Sequence, residues 1–436
     1  MQSNSAEKST VIVVQGHKYT FFSNGLYLCS ELMQTFNVVL VVPDSYKKDR
    51  RFLDICKLMR FTEVVYFPSN TYVPLSEKKA SYGINIIKQY FDQRLYSKIG
   101  KALILKYNPV ALLQHDYIHI ENMYFFFWAR RLLNRCKNIV VLSTAPSNER
   151  TLNGFSKMRM DRSLRIAHGN KWAGQIVFWT VSLLKYIESY IRNIFLPVIV
   201  LRQMSGYGSS SFDNIDLKPR KIPFHHFMVF ERSEEKFYTS LFGSRESVVR
   251  ICSPISAGMG VNNRLFNIKT IKGIAILFGL TGSVSGFDRQ LLSRWCDLVN
   301  TLSKKYVGTT ITIKVHPNLS HTMSDEFGKF FKSRCNNVHF VGSRENGVST
   351  EELILNSWMV IGDSSSVLPW ANYVGGKVVL SMDIEKYPNS GDMRVYSGIS
   401  VFSWKDDFNS IVEDIVKLKV MDRTEISLPS VKDLIA

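Results

Sequence analysis

The sequence predicts an α/β protein built from two doubly wound parallel-sheet domains. Three observations carry that prediction. The chain has 436 residues, 45% of them apolar, enough to bury two ordinary cores. Short apolar runs without polar alternation recur between helical segments, as parallel strands covered on both faces require. That order occurs twice, once over residues 10–144 and again over 273–404, with more polar sequence between.

In the first half, TVIVVQ (10–15) reads as a buried strand, 26–35 as a helix and NVVLVV (37–42) as the next strand. The alternation continues through VVYF (64–67), a long polar helix near 74–106, ALLQHD (111–116), a helix over about 121–134 and NIVVLST (138–144). This is the order of a Rossmann-like domain. Residues 172–201 differ: Lys185, Glu188 and Arg192 share one helical stripe and apolar residues cover much of the rest. Their longest uncharged stretch, Trp172 to Leu184, is shorter than the roughly 20 residues a bilayer span needs. Two readings stay open for it, a helix buried between domains or an amphipathic helix on an anionic membrane surface. Polarity rises over 206–270, which reads as a connecting region.

The second half begins with GIAILFG (273–279), followed by a helix over 288–304, TTITIKV (309–315), a helix over 325–333 and NVHFVG (337–342). A short helix over 349–356 has Ser349 as cap and Glu352 three residues on, a capping-box spacing. WMVIG (358–362), KVVLSM (377–382) and YSGISVFSW (396–404) complete a second doubly wound sheet. The expected division is therefore 1–205, a connection over 206–270, a second domain over 271–420 and a tail over 421–436.

Charge and cysteine usage narrow the function. Lys and Arg number 55 against 37 Asp and Glu, a net of +18, which favours an anionic partner such as nucleic acid, phospholipid or a phosphorylated small molecule. A nucleic-acid surface would interleave aromatics with basic residues. Tyr124, Phe125, Phe126, Phe127 and Trp128 instead lie in apolar context and read as core, so nucleic acid is not the expected partner. The six cysteines stand singly, with no metal-ligand spacing, and read as core packing. The N-terminus lacks a basic region followed by a long apolar core, so a cytoplasmic setting is expected.

Open parallel sheets bind ligands beyond the carboxyl ends of their strands, and three stretches of the second half sit there. GLTGSVSG (279–286) brings Gly279, Thr281, Gly282 and Ser283 in front of a helix, where backbone N–H groups can approach a phosphate; a plain turn is the alternative. In IKVHPN, Pro317 ends the ladder and holds His316 at the strand tip, where an imidazole can donate to a phosphate or protonate a leaving group; a structural histidine is the alternative. Gly362 and Asp363 lead into Ser364, Ser365 and Ser366 ahead of a helix, an anion cradle or a serine-capped turn. All three belong to one sheet edge, which suggests a nucleotide or nucleotide-sugar site.

With these motifs the second half resembles the carboxyl-terminal domain of GT-B glycosyltransferases that build bacterial surface polysaccharides. It is most similar to sialyltransferases and polysialyltransferases, with their HP and SS motifs, and to CDP-glycerol glycerophosphotransferases. His316-Pro317 matches the first motif and Ser364-Ser365, or Ser365-Ser366, the second. The resemblance implies two Rossmann-like domains facing a cleft, with residues 271–420 holding the donor and 1–205 the acceptor side. It also implies a CMP-sugar or similar donor as co-substrate, no cofactor or metal, and a glycan or lipid-linked acceptor in capsule or lipopolysaccharide synthesis. Work on such an acceptor implies the inner face of the cytoplasmic membrane.

The family's acidic pair followed by glycine is missing from the first half. Carboxylates at strand ends that can serve as base are Asp116, in LLQHDYIHIEN, and Glu149, in VVLSTAPSNER; a helix cap and a solvated loop residue are their respective alternatives. Glu385, after KVVLSM, is placed to contact the donor. A non-hydrolysing nucleotide-sugar epimerase, which shares the two-domain plan and a His-Pro-Asn strand end, is the alternative enzyme.

Overall fold

The structure, a computed structural model, describes residues 8–15, 21–67, 82–114, 120–141, 184, 187, 224–242, 247–257, 273–279, 287–316, 319–335, 337–342, 349–363, 365, 367–384, 393–415 and 428–435. They divide into two compact units.

The first unit is a seven-stranded sheet with helices. In chain order it contains β1 (Thr10–Val14), α1 (Leu26–Leu32), β2 (Asn37–Pro43), α2 (Arg50–Met59), β3 (Glu63–Phe67), α3 (Tyr82–Tyr107), β4 (Ala111–Gln114), α4 (Ile120–Leu132), β5 (Lys137–Val141), β6 (His226–Val229), α5 (Arg232–Phe242) and β7 (Val248–Arg250). The strand order is β3-β2-β1-β4-β5-β6-β7, every pairing parallel. Val11 to Val14 and Val38 to Val42 are all buried. Both faces of the central strands are covered, so these runs have no polar positions to alternate.

The stretch expected to connect the domains, 206–270, is corrected by this topology. Its described part supplies β6, α5 and β7 to the first sheet. HFMV and VVR are only four and three residues long, too short to stand out of polar flanks by periodicity. The expected tail over 421–436 is corrected likewise. A helix α11 (Val431–Ile435) returns to the first unit, with Val431 and Ile435 buried. The Lys432 amide donates to Glu31 Oε1 at 3.2 Å, and Lys137 Nζ donates to the carbonyls of Leu434 and Ile435 at 3.0 and 3.2 Å.

The second unit repeats the plan with β8 (Gly273–Leu277), α6 (Arg289–Lys305), β9 (Ile311–Lys314), α7 (His321–Arg334), β10 (Val338–Val341), α8 (Thr350–Leu355), β11 (Ser357–Asp363), α9 (Val367–Val374), β12 (Val378–Asp383), β13 (Ile399–Ser403) and α10 (Phe408–Ile415). Its order is β10-β9-β8-β11-β12-β13, again all parallel. Caps in the sequence set the helix starts: Asp288 accepts from Gln290 and Leu291 at 3.1 and 3.2 Å, and Ser349 accepts from Glu352 at 3.0 Å. The core lies on one sheet face, where Trp295, Leu298 and Leu302 of α6 and Phe327 and Phe331 of α7 cover Ile276, Ile313 and Ile361. Helix α9 packs on the other face, where Leu368 meets Gly362.

Segment 172–201 lies outside the described residues except for Leu184 and Ile187, which are helical and exposed. Among the described residues no helix is long and apolar enough to cross a membrane.

Lys377, just before β12, is buried and donates to the carbonyls of Leu355 and Ser357 at 3.3 and 2.7 Å. It thereby caps the negative end of α8. Burial pulls its ammonium down to about 8 from 10.5. The folded pKa is below the unfolded one, so the unfolded chain binds the extra proton between these values. Stability contributed by this group is complete above 10.5 and is lost as pH falls through about 8. Wild type should therefore gain about 2 kcal/mol relative to Lys377→Met between pH 7.5 and 10, read from paired urea titrations; a constant difference across that range refutes it.

Candidate functional site

The strand order of the second unit reverses between β8 and β11, since β8 pairs with β9 on one side and β11 on the other. At such a switch point the loops leaving the two strands part to opposite faces and open a crevice. The register levels three exits there: Leu277 is paired with both Lys314 and Gly362, and Asp363 with Met382. Gly279, His316 and Ser365 thus lie just beyond the same edge of three neighbouring strands. His316 and Ser365 flank β8, about 10 Å apart at two strand spacings.

Gly279 and Ser365 are brought into contact. A Cβ on Gly279 would lie 2.7 Å from Ser365 Cβ and 2.8 Å from Asp363 Oδ1, so only glycine permits this approach. The Gly279 N–H donates to Asp363 Oδ1 at 2.5 Å. Gly279 thereby fixes where the glycine loop starts, its own N–H being taken up by Asp363. Ser365 Oγ accepts from the Val367 N–H at 3.4 Å, and Ser365 O accepts from Leu368 at 3.1 Å. The hydroxyl therefore stands at the positive end of α9.

His316 follows the last pair of β9. Val315 still donates to Val341 O at 3.4 Å, and His316 O accepts from Leu319 at 3.0 Å, closing a turn. Since Ile311, Ile313 and Val315 face the core, continued alternation puts His316 on the α9 side. Partial burial lowers its pKa below 6.5, so the ring is neutral at pH 7. A neutral imidazole offers one N–H to an anion and gains a proton when a negative charge arrives.

Two groups escaped the sequence reading. Asp363 is fully buried and ties the glycine loop to β11; its place directly before the serine cluster is the signal that can find it. At the first unit's own switch point, between β1 and β4, Gln15, Asn24 and Gln114 are buried carboxamides. Gly25 is pressed against the Gln15 amide, 2.6 Å from a Cβ position to Nε2. Only the strand-end placement of Gln15 and Gln114 was visible in advance. Asp116, Glu149, Thr281, Gly282, Ser283, Pro317, Ser364, Ser366 and Glu385 lie outside the described residues.

No protein-family model and no curated protein matches the sequence. Solved structures do. A protein of Listeria monocytogenes provisionally named UDP-N-acetylglucosamine 2-epimerase is 9% identical with a TM-score of 0.51, covering 94% of this chain and 88% of that one. UDP-GlcNAc 2-epimerase of Neisseria meningitidis, solved with UDP-GlcNAc, is 12% identical with a TM-score of 0.49, covering 94% and 91%. A glycosyltransferase of Rickettsia africae is 10% identical with a TM-score of 0.46, covering 94% and 88%. At 9% identity the likeness to the Listeria structure is one of fold, and the two parallel-sheet Rossmann-like domains are those of the GT-B plan.

Proposed function

We propose that this chain is a nucleotide-sugar enzyme of the GT-B type acting as a glycosyltransferase. The observation that carries the reading is the convergence of Gly279, Ser365 and His316 at the switch-point edge of the second sheet. This edge receives the nucleotide diphosphate or monophosphate, with the Ser365 hydroxyl, the α9 N-terminus and the His316 N–H taking charge as it develops on the leaving phosphate. In the transfer an acceptor hydroxyl oxygen bonds the anomeric carbon as the bond to the phosphate oxygen breaks. That oxygen keeps the electron pair, and the hydroxyl proton passes to a base, for which Asp116 and Glu149 are the candidates. The HP and SS resemblance favours a CMP-sugar or similar donor and a bacterial surface glycan as product.

A second reading, nucleotide-sugar epimerase, is favoured by the strand end His316-Pro317-Asn318 and by the names of the Listeria and Neisseria structures. The two part in one experiment. A thermal-shift panel of CMP, CDP, UDP and GDP identifies the nucleotide, and the matching nucleotide-sugar is then incubated with the protein alone and followed by NMR. A transferase leaves the sugar's ring stereochemistry intact until an acceptor glycan is added, whereas an epimerase inverts one ring carbon without acceptor. If no nucleotide shifts the melting temperature, both readings fall.

A further inference from the structure

The leaving phosphate of a nucleotide-sugar carries at least one full negative charge, and His316 is neutral at pH 7 because burial lowers its pKa. Hydroxyls and a helix end supply partial charges only. Among the described residues a full positive charge does stand at the same edge. Arg394 donates from Nη2 to Asp383 Oδ2 at 2.9 Å, with the arginine side chain 54% exposed and the aspartate side chain 10%. Asp383 ends β12, one residue beyond Met382, the partner of Asp363. It therefore stands one position beyond the last pair of β11 with β12, at the edge where Ser365 opens α9.

The pleat fixes the side. Val378, Leu380, Met382 and Ile384 point into the core, so Asp383 projects from the face that α9 covers. A nearly buried carboxylate grips one edge of the guanidinium and leaves half of that side chain at the sheet edge. This arrangement fixes a planar fork at low entropic cost before any ligand arrives.

We propose that Arg394, oriented by Asp383, is a phosphate-binding residue of this site. The proposal rests on the nucleotide reading above and adds to it a residue that offers a charged, forked donor, its far edge turned from the carboxylate that holds it. Asp383 is the positioning residue, and Arg394 makes the contact.

The test titrates the full chain with UDP, CDP and CMP, their nucleosides uridine and cytidine, and inorganic pyrophosphate, for wild type, Arg394→Gln, Arg394→Lys and Asp383→Asn. Arg394→Gln should weaken the phosphorylated ligands and pyrophosphate by roughly ten- to a hundredfold, the worth of a charge-assisted bond, and leave nucleoside affinity unchanged. Arg394→Lys should recover part of the loss, because charge is kept and the fork is not. Asp383→Asn should weaken the same ligands, again sparing nucleosides. Equal weakening of nucleoside and nucleotide would show that the pair merely tethers its loop, and unchanged nucleotide affinity would remove Arg394 from the site; either overturns the proposal while the nucleotide reading stands. Failure of wild type to bind any of these ligands overturns both.

Discussion

Gly362→Ala is expected to lower the stability of the second domain by about 3 kcal/mol, at the upper end of what overpacking costs. The added methyl carbon would lie 2.6 Å from the carbonyl oxygen of Leu277 on the neighbouring strand and 3.3 Å from Leu368. A leucine side chain can turn away; a carbonyl inside a parallel ladder cannot. Relief requires β8 and β11 to separate at the level of their last pair, directly beneath the contact of Gly279 with Ser365. Nucleotide binding should therefore be lost along with stability. Urea unfolding followed by tryptophan fluorescence reads the effect, since Trp295 and Trp370 are buried in this domain. Gly308→Ala is the contrast: its φ is +81° with nothing within 4 Å of the new methyl, so only backbone strain of about 1 kcal/mol is expected. Equal losses at the two positions would contradict the packing argument.

His316→Ala should reduce turnover of the nucleotide-sugar roughly a hundredfold or more while changing the melting temperature little, since the ring stands at a strand tip outside the packed core. Its pH signature is more specific. Burial holds the free ring's pKa below 6.5, and a phosphate beside it favours the charged form, so binding takes up a proton. Nucleotide affinity of wild type should then rise, relative to His316→Ala, as pH falls from 7.5 to 6, by up to about tenfold per pH unit. The variant serves as reference because the phosphate's own protonation affects both proteins alike. In the absence of ligand the sign is opposite: the lowered pKa gives stability that is present above 6.5 and lost as pH falls through the folded value. Parallel affinity profiles for the two proteins would place His316 away from the phosphate.

The central strands were legible because their information is local. Runs such as VIVV and VVLVV admit no amphipathic helix, and glycine, proline and capping residues mark where they end. His-Pro at a strand tip and serines ahead of a helix were legible for the same reason. What escaped depends on pairing. β6 and β7 become strands only because β5 offers a parallel edge; in isolation HFMV and VVR hold too few residues to declare a period. The part played by Asp363 escapes because nothing in the sequence shows that Gly279, 84 residues away, will direct an N–H at it. The partnership of Asp383 and Arg394 depends in the same way on where the chain returns after β12.

The docking of α11 onto the first sheet bears on how the molecule is made. Glu31 is buried in α1, and burial raises its pKa while the Lys432 amide and the Ser430 hydroxyl oppose that rise. Those partners follow the whole of residues 255–427 in the chain, so while that stretch is being made the carboxylate must stay solvated or take up a proton. The amino-terminal half of the chain thus reaches its finished form only after the inserted carboxyl-terminal half has been completed, the reverse of the order in which a ribosome usually matures domains.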